Sequence, residues 1–402
     1  MKYTAQEVME YVRQADVKFI RLAFCDAYGR QKNIAVMPSE LERAFGDGIA
    51  FDASAVAGFG GAVRSDLFLH PDAGTLVGLP WRPETGRVVR MFCDVTHPDG
   101  TPSAGDTRAL LKRTAAKAEA RGLSFAFGPE MEFYLFKNGP DGERTDTPCD
   151  SAGYMDIAPD DKGENIRREV CLMLEQMGIR PESSHHEEGP GQNEIDFRYS
   201  DPVTAADNAV TFRSVVKTVA AGYGLTADFT PKPLSARPGS GMHVNFSVKS
   251  SDGADRMPQV IAGVMDKVAD MTVFLNPTDG SYLRLGGDKA PGYITWSSEN
   301  RSQLIRIPAA SGEFRRAELR SPDPGANPYI AFTLMISAGM YGVDKLLALP
   351  PSTDVNLYAA DEGALAQLRR LPAPRREAQS IARSSEFIKN TLPAELLELY
   401  CG

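Results

Sequence analysis

Two glutamates one residue apart open the chemical reading of this chain. They lie in Ser124-Phe-Ala-Phe-Gly-Pro-Glu-Met-Glu-Phe-Tyr-Leu-Phe136. With period two, Phe125, Phe127, Pro129, Met131, Phe133 and Leu135 form an apolar face, and Gly128, Glu130, Glu132, Tyr134 and Phe136 form the other. The alternation and the aromatic content predict a strand packed on a core by one face. Glu130 and Glu132 then project together, about 7 Å apart at the rise of a strand. Like charges so placed repel, and a divalent metal is the economical means of keeping both ionised. The plainer alternative is a half-exposed strand whose glutamates face water.

Four more polar clusters sit beside strand-like segments. His185-His-Glu-Glu-Gly-Pro-Gly-Gln-Asn-Glu194 carries carboxylates at both ends of a tight loop. Gly239-Ser-Gly-Met-His-Val-Asn245 brings a histidine onto a strand just after a flexible turn. Arg301-Ser-Gln-Leu-Ile-Arg306 and Arg315-Arg-Ala-Glu-Leu-Arg320 concentrate arginines in an otherwise acidic chain. Hard oxygen donors with one imidazole suit Mg²⁺ or Mn²⁺, and the lack of thiolates argues against zinc. Arginines beside such donors are what phosphoryl transfer needs, because they neutralise the moving phosphoryl group. No GxxxxGK[ST] loop is present, so a nucleotide is not held in a P-loop. Taken singly, His243 reads equally well as a core histidine, and the arginines as a solvated salt-bridge strip; it is their joint occurrence that favours chemistry.

The elements that must position these residues are legible in outline. Thr4 to Ala15 reads as a helix with a Thr4/Glu7 capping box. Strands are predicted at Phe19–Cys25, Asn33–Met37 and Val88–Val95, a short helix from Ser39 to Phe45, and a Gly-rich loop over 46–61. The turn cluster His97-Pro-Asp-Gly-Thr-Pro102 marks the boundary between domains 1–103 and 104–402. Beyond it, helices are predicted at 107–121, 165–177, 202–221, 258–275 and 327–349, with strands at 193–199 and 242–248. The class is α+β, and 402 residues supply ample core for two domains. A net charge of -9 argues against nonspecific nucleic-acid binding. With no apolar run near 18 residues and no signal-peptide pattern, a soluble cytoplasmic protein is expected. The five cysteines are scattered and odd in number, as in a chain of reduced thiols.

The clusters, with Phe51-Asp52, Phe229-Thr-Pro-Lys-Pro233, Asn300-Arg-Ser302 and Arg316-Ala-Glu-Leu-Arg-Ser-Pro-Asp-Pro324, follow a family's order and near-spacing. The chain resembles the glutamine synthetase family over essentially its whole length. That resemblance implies a β-grasp-like N-terminal domain and a catalytic domain built on a curved, mainly antiparallel sheet. It implies ATP as co-substrate with two or three Mg²⁺ or Mn²⁺. Glu132, Glu187 and Glu194 would hold one metal, and Glu130, His243 and Glu318 a second. Arg301 and Arg316 would stabilise the transferred phosphoryl group; Arg284, Arg320 and the backbone at Gly239 would fix glutamate. Glu182, Tyr199 and Ser247 fall where the family contacts nucleotide. Asp52, from an adjacent subunit, would bind and deprotonate ammonium, with Tyr154 nearby. The implied assembly is a homo-oligomer with shared sites, a dodecamer of two hexameric rings, with neither nucleic acid nor membrane as partner.

The departures bear on the amine. The family's flap carries a glutamate that helps take a proton from the amine. Here Leu285-Gly-Gly-Asp-Lys-Ala-Pro291 is one residue shorter, with Lys289 in that place and Asp288 as a substitute only if the loop rearranges. An ammonia ligase must swing Lys289 outward, onto phosphate or a carboxylate. Asn245 stands for a second histidine, and Pro238 for an asparagine. Asn356-Leu-Tyr358 matches poorly a tyrosine modification site of some bacterial members. Ligation of ammonia to glutamate is the first expectation. A ligase for an organic amine or polyamine, and a silent regulatory homologue, are the alternatives.

Overall fold

Two sheets organise the chain in the computed structural model, which describes residues 3–61, 63, 65–82, 85–287, 289–310, 312 and 315–402. The first contains β1 (Val17–Cys25), β2 (Gln31–Val36), β3 (Ile49–Asp52), β4 (Asp66–Pro71), β5 (Val77–Gly78) and β6 (Arg87–Thr96). Its order is β2-β1-β6-β4-β3, with β5 also pairing β6. β1 and β6 run parallel at its centre and the remaining pairs are antiparallel. Ile20, Leu22, Leu69, Val89 and Met91 are buried in its own core. The helix Ala5–Gln14 begins on the Thr4/Glu7 capping box that the spacing predicted. The Gly-rich stretch expected to be loop holds β3 and a 3₁₀ turn, Ala53–Ala55. Four residues are too few to show alternation, and β3 exists because Ile49 to Asp52 pair with Leu69 to Asp66.

The second sheet is larger. It contains β7 (Leu123–Asn138), β8 (Arg144–Pro148), β9 (Pro181–His186), β10 (Gln192–Phe197), β11 (Leu225–Asp228), β12 (Met242–Ser250), β13 (Trp296–Ser298), β14 (Ile305–Ile307) and β15 (Ala317–Leu319). The order is β13-β14-β15-β12-β7-β10-β9, and β8 and β11 also pair with β7. β13 and β14 are parallel; the other pairs are antiparallel. The sixteen-residue β7 is the spine.

Its apolar face behaves as the alternation predicted. Phe125, Phe127, Met131, Phe133 and Leu135 are buried in one core with the helices Pro202–Gly222, Met257–Leu275 and Pro328–Asp344. Phe127 stacks on Phe332 with ring centroids 4.4 Å apart. The helices Met257–Leu275 and Pro328–Asp344 approach so closely that a Cβ on Gly342 would lie 2.0 Å from the carbonyl oxygen of Gln259. The last helix was expected to reach residue 349 but stops at Asp344, and Leu346 beyond it has φ 51°. Tyr134 and Phe136, on the polar face, are also fully buried. Tyr134 donates its hydroxyl to the Pro238 carbonyl at 2.7 Å, and Arg144 covers Phe136 at 3.9 Å. The glutamates therefore lie where that face is still open. Among the described residues no helix is long and apolar enough to cross a membrane.

Candidate active site

Strand pairing assembles the polar residues. On one side of β7, β12 sets His243 opposite Glu130; on the other, β10 sets Glu194 opposite Glu132. β15 then brings Glu318 opposite Asn245 of β12, with Arg306 of β14 opposite Glu318. Donor atoms of Glu130, His243 and Glu318 all lie within 4.8 Å of one another. Glu194 joins three further groups at that spacing: with Glu132 and His243, with His185 and Glu187, and with Glu130 and Asp196. Of the two expected sets, Glu130, His243 and Glu318 form one group, whereas Glu132 and Glu187 are linked through Glu194 in two separate groups.

The electrostatics of this funnel call for positive charge. Burial, then the charges of Asp196 and Glu318, pushes Glu130 up to about 8. Burial, then Glu187, pushes Glu132 up to about 7. Glu194 is raised too, by burial and then by Asp196. His243 is held well below the usual histidine range by burial and by Arg320, Arg284 and Arg306, so its imidazole is neutral. Its Nδ1 stands 3.9 Å from Glu130 and 3.7 Å from Glu318, too far for hydrogen bonds. Neutral imidazole and carboxylate oxygens facing a common gap fit a hard divalent cation; thiolates play no part.

Neutral side chains and amides orient the carboxylates. Asn245 donates to Glu130 at 2.6 Å and accepts from Arg316 Nε at 2.8 Å, so it ties a glutamate to a guanidinium. Glu132 accepts from the Gly241 amide at 2.8 Å and from Gln192 at 3.2 Å. Glu187 accepts from His185 Nε2 at 2.9 Å when that nitrogen carries the proton. Arg306 and Arg320 each bond Glu318 at 2.5 Å. Sequence reading expected Arg320 to face an anionic substrate; here its NH1 is on the glutamate two residues earlier.

The remaining candidates fall in distinct places. Buried Arg284 donates to the carbonyls of Ser321 and Arg320. A Cβ at Gly239 would meet the Pro231 carbonyl at 2.5 Å and the Arg284 stem at 2.9 Å, so only glycine lets the backbone approach there. Glu182, Tyr199 and Ser247 line one cleft, together with Glu130, Asn245 and Arg316. Arg301 is exposed, and its carbonyl accepts from Tyr358. Tyr154 is half exposed, with its ring edge-on to His185 at 5.4 Å. Asp52 stands apart at the end of β3, where its carboxylate accepts from the amide and hydroxyl of Ser54. In the flap, Asp288 lies outside the described residues. Lys289 has φ 66° and places Nζ 2.8 Å from Glu188 Oε1. Lys289 is thus paired with a carboxylate, that of the residue following Glu187.

Two residues escaped sequence reading. Asp196 lies within 4.8 Å of Glu130 and Glu194 as a further carboxylate of the funnel. Its position two residues after Glu194, on the same strand face, was the available signal. Glu188 was visible only as a loop acid, and nothing local foretold its partner.

A β-grasp-type sheet ahead of a curved sheet with a carboxylate funnel and rimming guanidiniums defines the class: a ligase scaffold with a separate catalytic domain. The glutamine synthetase catalytic-domain model matches residues 104–402, and the glutamine synthetase β-grasp model matches residues 16–98. A glutamine synthetase of Clostridium saccharobutylicum is 42% identical over 406 residues, covering 97% of this chain and 92% of that protein. One of Methanosarcina mazei is 42% identical over 412 residues, covering 99% and 92%. The solved structure of GmaS with ADP gives a TM-score of 0.88 at 27% identity, over 100% of this chain and 94% of that one. The chain belongs to the glutamine synthetase family.

Proposed function

We propose that this protein is an ATP-dependent glutamate–ammonia ligase, a glutamine synthetase. The observation that carries the reading is the meeting of Glu130, Glu132, Glu187, Glu194, Glu318 and His243 beside the cleft lined by Glu182, Tyr199 and Ser247. The family membership and the 42% identity to glutamine synthetases support it. A carboxylate is a poor electrophile, so its oxygen must first become a leaving group. In the first step a γ-carboxylate oxygen of glutamate attacks the γ-phosphorus of ATP and ADP departs. In the second, the nitrogen attacks the acyl carbon, phosphate leaves, and a base takes the proton.

Each residue has a role in this reading. Mg²⁺ or Mn²⁺, two or three ions held by Glu130, His243 and Glu318 and by Glu132, Glu187 and Glu194, would neutralise phosphate charge as Lewis acids. Arg301 and Arg316 face the moving phosphoryl group, and Asn245 fixes Arg316 by accepting its Nε–H. Arg284 and the Gly239 backbone position glutamate, and Arg320 does so after leaving Glu318. Asp52 of a neighbouring subunit, with Tyr154, takes the proton from ammonium. The division into domains 1–103 and 104–402, a cytoplasmic location, and a dodecamer of two hexameric rings complete the proposal.

A ligase for an organic amine is the second reading, favoured by the cation at Lys289, which stands where the family's flap carries a glutamate. The Lys289–Glu188 pair weakens that case, because it draws the cation aside. The decisive experiment is ATP-dependent phosphate release with glutamate and a panel of amines, with products identified by mass. Ammonium as the best amine supports the first reading. A preferred organic amine replaces it with the second, and no turnover with any amine would leave a silent homologue.

A further inference from the structure

A cleft of about 910 Å³ opens between the turn joining β1 to β2 and the catalytic domain, away from the carboxylate funnel. Arg30, Arg213, Lys217 and Arg375 line it, against only Asp228 and Asp279. In a chain of net charge -9, that balance is reversed locally. Asp228 is committed to Arg144 at 2.9 Å and to the amide and hydroxyl of Thr230. Asp279 lies 3.8 Å from Arg375. Among the described residues, no carboxylate is within ion-pair distance of Arg30, Arg213 or Lys217. Arg213 spends its donors on two neutral carbonyls, Pro324 and Gly29, each at 2.9 Å. Burial holds its guanidinium below the usual arginine range, as expected of a cation lacking an anion.

The walls of this cleft are the backs of segments that reach the glutamate site. Pro231 accepts the Ser240 amide at 3.0 Å, next to Gly239. Thr278 caps the helix Asp279–Arg284, which ends on Arg284. Pro324, held by Arg213, follows Arg320 by four residues. A ligand drawing the walls together would act on all three.

We propose that this cleft is an effector site for a small organic or inorganic dianion, bearing carboxylates or phosphate, that adjusts the affinity for glutamate. The binding half is independent of the proposed activity; the coupling half rests on it. Arginine forks and an ammonium lining one cleft, close enough for their charges to repel, match a compact molecule that carries two negative charges.

The test reads Lys217 directly. The resting protein is treated with a lysine-acetylating reagent, and modification of Lys217 is followed by peptide mass spectrometry at fixed ionic strength. Inorganic phosphate, succinate and chloride are compared. Protection by phosphate or succinate severalfold beyond chloride is expected, and it should fall sharply in Arg30→Ala. Which anion protects identifies the chemistry; protection by neither, or protection unchanged in Arg30→Ala, overturns the site. The protecting anion should also shift the KM for glutamate in wild type and not in Lys217→Ala. A KM that does not move while Lys217 is protected overturns the coupling alone.

Discussion

Replacing Glu188 by glutamine tests where the flap cation points. Lys289 Nζ is 2.8 Å from Glu188 Oε1, and the side chains are 54% and 39% exposed. A pair so open to water contributes roughly 0.2–1 kcal/mol, so it tethers the flap only weakly. Its larger consequence is direction. A lysine aimed at ammonium about 4–6 Å away, at an effective dielectric near 20, would oppose binding by roughly 3–4 kcal/mol, a hundredfold or more. Glu188→Gln removes the carboxylate that draws Lys289 aside, so the KM for ammonium should rise. Lys289→Ala loses at most the tether, about 1 kcal/mol, and should change that KM less than about sixfold. The double variant should return to the Lys289→Ala value, because no cation remains to misdirect. The assay is steady-state phosphate release with ATP and glutamate saturating and ammonium varied, at low and high salt. Salt screens exposed charges, so the Glu188→Gln effect should shrink in high salt. A hundredfold fall in KM for Lys289→Ala would show that the lysine faces the amine in wild type, and would refute this reasoning.

Three further outcomes are expected. Glu130→Gln and Glu194→Gln should each abolish product formation while circular dichroism stays native; near-normal turnover in either would remove that carboxylate from the metal-binding role. In metal-free protein, Glu130 and Glu132 titrate at about 8 and 7, above their unfolded values of about 4.3, so the folded state binds more protons than the unfolded one between these limits. Stability should therefore fall as pH rises from 5 to 8 in a chelator, and Mn²⁺ should restore more at pH 8 than at pH 6; a chelated melting temperature that does not fall over this range contradicts the charge balance of the funnel. Finally, inactive Asp52→Ala and Glu130→Gln subunits, dissociated and reassembled together, should recover part of the activity through hybrid interfaces, whereas confirmed mixed rings without activity would exclude a shared site.

Much of the architecture was legible from local pattern. Alternation along 124–136 identified the spine strand and its apolar face, because which side of a strand meets the core is written in every second residue. The Thr4/Glu7 box started a helix where expected, and Gly122 and Gly178, at φ 74° and 80°, mark chain reversals after two more. Short strands were missed, since β3, β4 and β5 depend on partners elsewhere in the chain. Alternation set Tyr134 and Phe136 on the face that carries the glutamates, yet both are buried, covered by the Pro238 loop and by Arg144.

The sequence by itself determined the family, the spine strand and the kinds of donor available: carboxylates, one imidazole and several guanidiniums. Only the tertiary structure decided who meets whom. Register sets His243 opposite Glu130 and Glu194 opposite Glu132, and a slip of one residue in either pairing would turn those side chains to the other face. It also added Asp196 to the funnel, put Arg306 and Arg320 on Glu318, and turned Lys289 onto Glu188. The physical reason is range: alternation and capping act between near neighbours in sequence, whereas Coulomb forces and strand pairing act between residues that only the folded chain brings together.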